Sequence, residues 1–99
     1  MKILIIEDDL ETAAYLTKAF REAGLTVDHA SDGDSGYFLA TENSYDVMVV
    51  DRMLPKRDGL SIISSLRDQG NETPVLIVTW IYDRMYKGQK TEKLTVHPY

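Results

Sequence analysis

Three carboxylates stand at the ends of two apolar runs. Glu7 and Asp8 close Ile3-Leu4-Ile5-Ile6, and Asp51 closes Val47-Met48-Val49-Val50. If the runs are neighbouring parallel strands, ligands bind in the crevice beyond their carboxyl ends, and the three acids share one pocket. Pooled carboxylates repel one another unless a hard cation lies between them. Mg²⁺ takes oxygen ligands and keeps waters that a phosphate can displace. The chemistry implied is Mg²⁺ binding coupled to phosphoryl transfer. An aspartate is a competent phosphoryl acceptor once a cation offsets the incoming charge. A hydroxyl at the next strand end, Thr79, can donate to a phosphoryl oxygen and couple that charge change to a loop movement. Plainer readings stand beside these: Asp8 or Asp9 as a helix cap, Asp51 as a turn residue, Thr79 as an ordinary strand threonine. His29 reads as structural or solvated, and Lys56-Arg57 as solvated loop charge near the pocket mouth.

The elements that must position these residues are legible as patterns. Short continuous apolar runs suit strands covered on both faces, and Val75-Leu76-Ile77-Val78 after Pro74 is a third such run. Ala13, Leu16, Phe20 and Ala23 recur at helical spacing, with Gly24 as a stop. Leu25–His29 alternates, as an edge strand does. Residues 34–43 form a second helix with Leu39 and Ala40 inward. Asp58 or a neighbour caps a third, which places Leu60, Ile63 and Leu66 on one face and ends at Gly70. The alternation of strands and helices predicts an α/β fold, a parallel sheet with helices on both faces.

Composition bounds the rest. Ninety-nine residues, 43% hydrophobic, make one small domain. The absence of cysteine excludes disulfides and thiolate metal sites and fits the cytoplasm. No stretch approaches a membrane span, and no signal peptide is expected. A net charge of −5 argues against direct nucleic-acid binding. The charge is uneven: residues 1–79 carry 7 Lys/Arg against 14 Asp/Glu, whereas residues 80–99 carry 4 against 2 and hold four of the nine aromatics.

Residues 1–79 resemble the receiver domain of bacterial two-component response regulators of the winged-helix transcription-regulator type. The resemblance rests on Ile-Leu-Ile-Ile-Glu7-Asp8-Asp9, Asp51-Arg-Met-Leu-Pro55, Asp58-Gly59-Leu60 and Pro74-Val-Leu-Ile-Val-Thr79, in that order and spacing. It implies a three-layer, doubly wound, flavodoxin-like sheet of order 2-1-3-4 and a fifth strand. It implies that Asp51 accepts a phosphoryl group from a sensor histidine kinase. Glu7, Asp8, Asp51 and the backbone carbonyl of Met53 would hold Mg²⁺, and Thr79 would be the switch hydroxyl. Asp9 falls one place beyond the acidic pair and is left out of the metal's ligands.

Residues 80–99 depart from the family, which continues with a helix, a fifth strand ending in Lys-Pro and a closing helix. Two readings stand. In one, a shortened helix at 80–87 leads to a short parallel edge strand at Leu94–Tyr99, with His97 replacing the lysine. In the other, the segment is foreign sequence, and Val75–Val78 becomes an exposed edge that invites self-association. On either reading the chain is expected to be C-terminally truncated, lacking the final helix and a DNA-binding domain. The expected function is a phosphorelay switch rather than an enzyme with turnover. The alternatives are a docking module for a kinase or another receiver, impaired in phosphorylation, and an aspartate-nucleophile phosphatase. The last normally has a second acid two residues past the nucleophile, where this chain has Met53.

Overall fold

The computed structural model describes the backbone of residues 1–84 and 90–99 and the side chains of residues 1–79 and 97–99. The elements run β1 (Lys2–Ile6), α1 (Leu10–Glu22), β2 (Thr26–Ala30), α2 (Gly33–Glu42), β3 (Val47–Asp51), α3 (Gly59–Asp68), β4 (Val75–Arg84) and β5 (Lys90–Pro98). The sheet order is β2-β1-β3-β4-β5, and β1 to β4 are mutually parallel. The first four strands thus adopt the expected 2-1-3-4 arrangement.

Strand periodicity sorts the core into two layers. Leu4, Ile6, Met48, Val50, Val75 and Ile77 face α2 and α3, where they meet Ala40, Ile62, Ile63 and Leu66. Ile3, Ile5, Val27, Val49 and Val78 face the other way and pack with Leu16 and Phe20 of α1. Continuous apolar runs are required because both faces of β1 and β3 are covered. Each helix begins on an aspartate cap. Asp9 accepts from the Glu11 amide, Asp32 from Ser35 and Asp58 from Ser61. Gly24 and Gly70 follow α1 and α3 with φ of 87° and 81°, a region that glycine enters without steric penalty.

The carboxyl-terminal segment corrects the expectation of a helix over 80–87. Residues 80–84 continue β4, while 85–87 lie outside the described residues. Val75-Leu-Ile-Val-Thr-Trp-Ile-Tyr82 is an unbroken run of β-branched, aromatic and aliphatic residues, which favours extended backbone. The expected parallel fifth strand is also corrected, because β5 runs antiparallel to β4, from Arg84↔Lys90 to Leu76↔Pro98. Only five residues separate the two strands. A parallel return needs a crossover of about a dozen residues or more. The edge at Val75–Val78 is therefore not left open. Leu76, Ile77 and Val78 pair with Pro98, His97 and Val96, and the Tyr99 amide donates to the Val75 carbonyl.

Gly59, the first residue of α3, sits against the end of β3. A Cβ there would lie 2.2 Å from the Asp51 carbonyl oxygen. Because the obstacle is backbone, Gly59→Ala should destabilise the domain by about 1–3 kcal/mol. Chemical denaturation with an unchanged m-value would confirm this, and wild-type stability would refute the close approach.

Candidate functional site

The pairing of β1 with β3 builds the site. Ile6 stands opposite Val50, so the next residues, Glu7 and Asp51, leave neighbouring strands side by side. Glu7 is 1% exposed and Asp51 4%, while Asp8 is exposed. Oxygens of the three carboxylates lie within 4.8 Å of one another. The backbone of Glu7 is pinned to β2 on both sides. Its amide donates to the Ala30 carbonyl at 3.0 Å, and His29 Nε2 donates to its carbonyl at 2.8 Å. His29 thus serves as a structural tie.

The acids are only partly satisfied. Glu7 Oε1 accepts the Asp9 amide at 3.0 Å, and Asp51 Oδ1 accepts the Met53 amide at 3.0 Å. Glu7 Oε2 is buried with no hydrogen-bond partner among the described residues. Burial pushes the Glu7 carboxyl up to about 8, reinforced by the nearby charges of Asp51 and Asp8 and opposed by the Asp9 amide. Burial also raises Asp51, against the Met53 amide, which favours its charged form. An orphaned oxygen among three converging carboxylates fits a hard divalent cation, which satisfies the oxygen and removes the repulsion together.

Asp9 turns away from the cluster to cap α1, where Thr12 Oγ1 donates to its Oδ2 at 2.5 Å. Met53 lies in the β3–α3 loop with its side chain 75% exposed and its amide on Asp51. Beside it, Asp8, Met53, Leu54, Pro55 and Asp58 line an open depression of about 310 Å³. A larger concavity, between α1 and His29, lies away from the acid cluster.

Thr79 directly follows Val78, the register partner of Asp51, but it does not end a strand. It is half-buried within β4 and pairs with Thr95 of β5. The placement of His97 as a lysine replacement at the pocket is corrected. Because β5 runs backwards, His97 stands opposite Ile77, exposed, on a strand separated from β3 by β4. Ile77 belongs to the face covered by α2 and α3, whereas Asp51 continues the alternation of Val49 on the α1 face.

Sequence reasoning takes Lys56-Arg57 as solvated loop charge and does not find their partners. Lys56 Nζ lies 3.7 Å from Asp32 Oδ2, and the Arg57 guanidinium lies 4.3 Å from the centre of the Tyr37 ring. These contacts join residues about twenty or more apart in the chain, and no local pattern marks them.

The raised Glu7 carboxyl gives a pH dependence of defined sign. Between the ordinary value of 4.5 and about 8, the cation-free folded chain holds a proton that the unfolded chain has released. Stability should therefore fall as pH rises through that window. A divalent cation displaces the proton, so the rise in Tm caused by Mg²⁺ should grow from about pH 5 to about pH 8. Thermal melts in chelator and in Mg²⁺ check this, with Glu7→Gln expected to flatten the chelator slope. A Mg²⁺ effect independent of pH would contradict it.

Known proteins bear directly on this arrangement. The response regulator receiver domain family matches residues 3–96, which reaches into the segment expected to depart from it. The probable transcriptional regulatory protein SilR of Salmonella typhimurium is 51% identical over 79 residues, covering 80% of this chain and 35% of that protein. CusR of Escherichia coli K12, a transcriptional regulatory protein, is 44% identical with the same coverage. The chain thus spans about a third of the length of these relatives. Among solved structures, the Francisella response regulator 1452 receiver domain superposes with a TM-score of 0.77 at 40% identity, covering 79% of this chain and 64% of that one. Vibrio cholerae chemotaxis protein CheY4 gives 0.72 at 26% identity, covering 77% and 65%.

Proposed function

The chain belongs to the response regulator receiver domain family, and on that footing we propose that it is a phosphorelay receiver that binds Mg²⁺ and accepts a phosphoryl group on Asp51. The observation that carries this reading is the convergence of Glu7, Asp8 and Asp51 around a buried oxygen that has no partner among the described residues. Glu7, Asp8, Asp51 and the Met53 carbonyl would hold the ion. Bound Mg²⁺ would supply the charge neutralisation that lets a phosphoryl group approach three acids.

Asp51 is the nucleophile. One of its carboxylate oxygens forms a bond to phosphorus as the bond from phosphorus to the donor breaks. With a sensor histidine kinase as donor, the imidazole nitrogen leaves with the bonding pair, and an acyl phosphate forms on Asp51. Burial favours this residue over exposed Asp8, because a water-poor site strengthens the attraction between cation and phosphoryl oxygens. The product adds roughly −1.5 to −2 charges beside β4. Thr79, next to the Val78 that pairs with Asp51, would be the switch residue. Without a second acid at Met53, the chain acts as a switch and not as a phosphatase with turnover. In longer relatives such a switch would govern transcription, from the cytoplasm. Among the described residues, no helix is long and apolar enough to cross a membrane.

One observation favours a second reading, a docking module that binds a kinase or another receiver without being phosphorylated. Among the described residues, the lysine ion pairs are Lys2–Asp28, Lys18–Glu22 and Lys56–Asp32, and none involves the acid cluster. Among the described residues, none would then supply a phosphoryl group there with the counter-charge that the family's lysine provides.

Incubation with a small-molecule phosphodonor, with and without Mg²⁺, separates the two by intact mass. The expected result is a Mg²⁺-dependent adduct on the wild-type chain and none on Asp51→Asn. Folded wild-type protein that binds Mg²⁺ yet gains no adduct would establish the docking reading instead.

A further inference from the structure

The loop between β3 and α3 carries the Met53 groups that the site needs, and its middle is anchored on α2. The Pro55 carbonyl accepts the Gly33 amide at 3.1 Å and the Arg57 amide at 2.8 Å. Gly33, the first residue of α2, lies so close that a Cβ would fall 2.0 Å from the Arg57 carbonyl oxygen. The loop therefore rests directly on the first turn of α2. Between these contacts Lys56 has φ of 68°, the one non-glycine residue with positive φ among the described residues. That conformation is unfavourable for a residue with a Cβ, so something must hold it.

Two cations supply the hold. Lys56 Nζ, itself exposed, reaches half-buried Asp32, the cap of α2, in a pair that contributes little alone. Arg57 does more. Its guanidinium stacks on Tyr37 of α2, Nε donates to Ser61 Oγ at 3.4 Å, and a second nitrogen donates to Ser65 Oγ. Tyr37 is itself fixed, since its hydroxyl accepts from the Gln69 side chain of the α3 cap. Arg57 thus bridges α2 and α3 with a planar group that lysine cannot imitate.

We infer that Arg57, stacked on Tyr37, is a positioning residue that holds the Asp51–Gly59 loop in its metal-binding conformation and so sets the Mg²⁺ requirement of the site. This rests on the proposed Mg²⁺ reading and deepens it. Arg57 touches none of the three acids. It acts through Pro55 and Leu54 on Met53, whose amide is bound to Asp51 and whose carbonyl would be a ligand. Without the stack, the loop divides among several conformations. Apparent affinity then falls by the fraction of molecules that are competent.

Calorimetric Mg²⁺ titration of the full chain, paired with phosphodonor rates across Mg²⁺ concentration, tests this. Arg57→Ala and Tyr37→Leu should each weaken Mg²⁺ binding roughly threefold to tenfold. Their double variant should lose no more than either single one, and Tyr37→Phe, which keeps the ring but not the bond to Gln69, should lose less than Tyr37→Leu. The maximal phosphorylation rate should return at high Mg²⁺, a split that a merely destabilised domain would not produce. Wild-type Mg²⁺ half-saturation in Arg57→Ala, or in Tyr37→Leu should the arginine variant not fold, overturns the inference while leaving the receiver reading intact. A folded wild-type chain that binds no Mg²⁺ overturns both.

Discussion

The mutual repulsion of acids at the ends of two adjacent parallel strands is the constraint on which this structure turns. The pairing of Ile6 with Val50 leaves Glu7 and Asp51 no choice but to stand together. A slip of one residue would send them to opposite faces and would expose every buried side chain of one strand. The apolar runs of β1 and β3 therefore fix more than the core, because the register that buries them also assembles the acids. The sheet absorbs the resulting penalty. Glu7 keeps an oxygen buried without a partner among the described residues, and the amides of Asp9 and Met53 satisfy only part of what the acids require.

A division of labour follows between rigid and adaptable parts. The acids leave strands whose side chains are locked between two layers of helices, so their positions tolerate little error. The remaining groups come from the loop after Asp51, which has no sheet of its own to hold it. Its rigidity is borrowed from α2 and α3, through a carbonyl–amide contact at Gly33, a left-handed residue at Lys56 and a stacked guanidinium at Arg57. The two helices are thereby tied to the loop that follows Asp51.

The β4–β5 hairpin changes the sheet's far edge without disturbing the acid pocket. Extending β4 past Thr79 and folding β5 back covers the amide and carbonyl groups that an edge at Val75–Val78 would have presented. The reversal also carries the end of β5 toward the amino-terminal end of β4, away from the carboxyl ends where the acids gather. The acid cluster thus stays between β1 and β3 while the strand at the sheet's edge runs in the opposite direction.

Much of this was legible from local pattern alone. The continuous runs marked buried strands, Asp58 and Gly70 marked the bounds of α3, and three acids at strand ends marked the pocket. Each signal lies within a few residues, where backbone preference and side-chain period act directly. By itself the sequence determined the four parallel strands, the three helices and which carboxylates converge. The tertiary structure alone decided the rest. It set the direction of β5 and hence the removal of His97 from the pocket, the burial that raises Glu7, and the seat of Arg57 on Tyr37. These depend on contacts between residues far apart in the chain, and on whether five residues can span a crossover. Such outcomes are set by chain geometry and packing, which leave no mark in any short stretch of sequence.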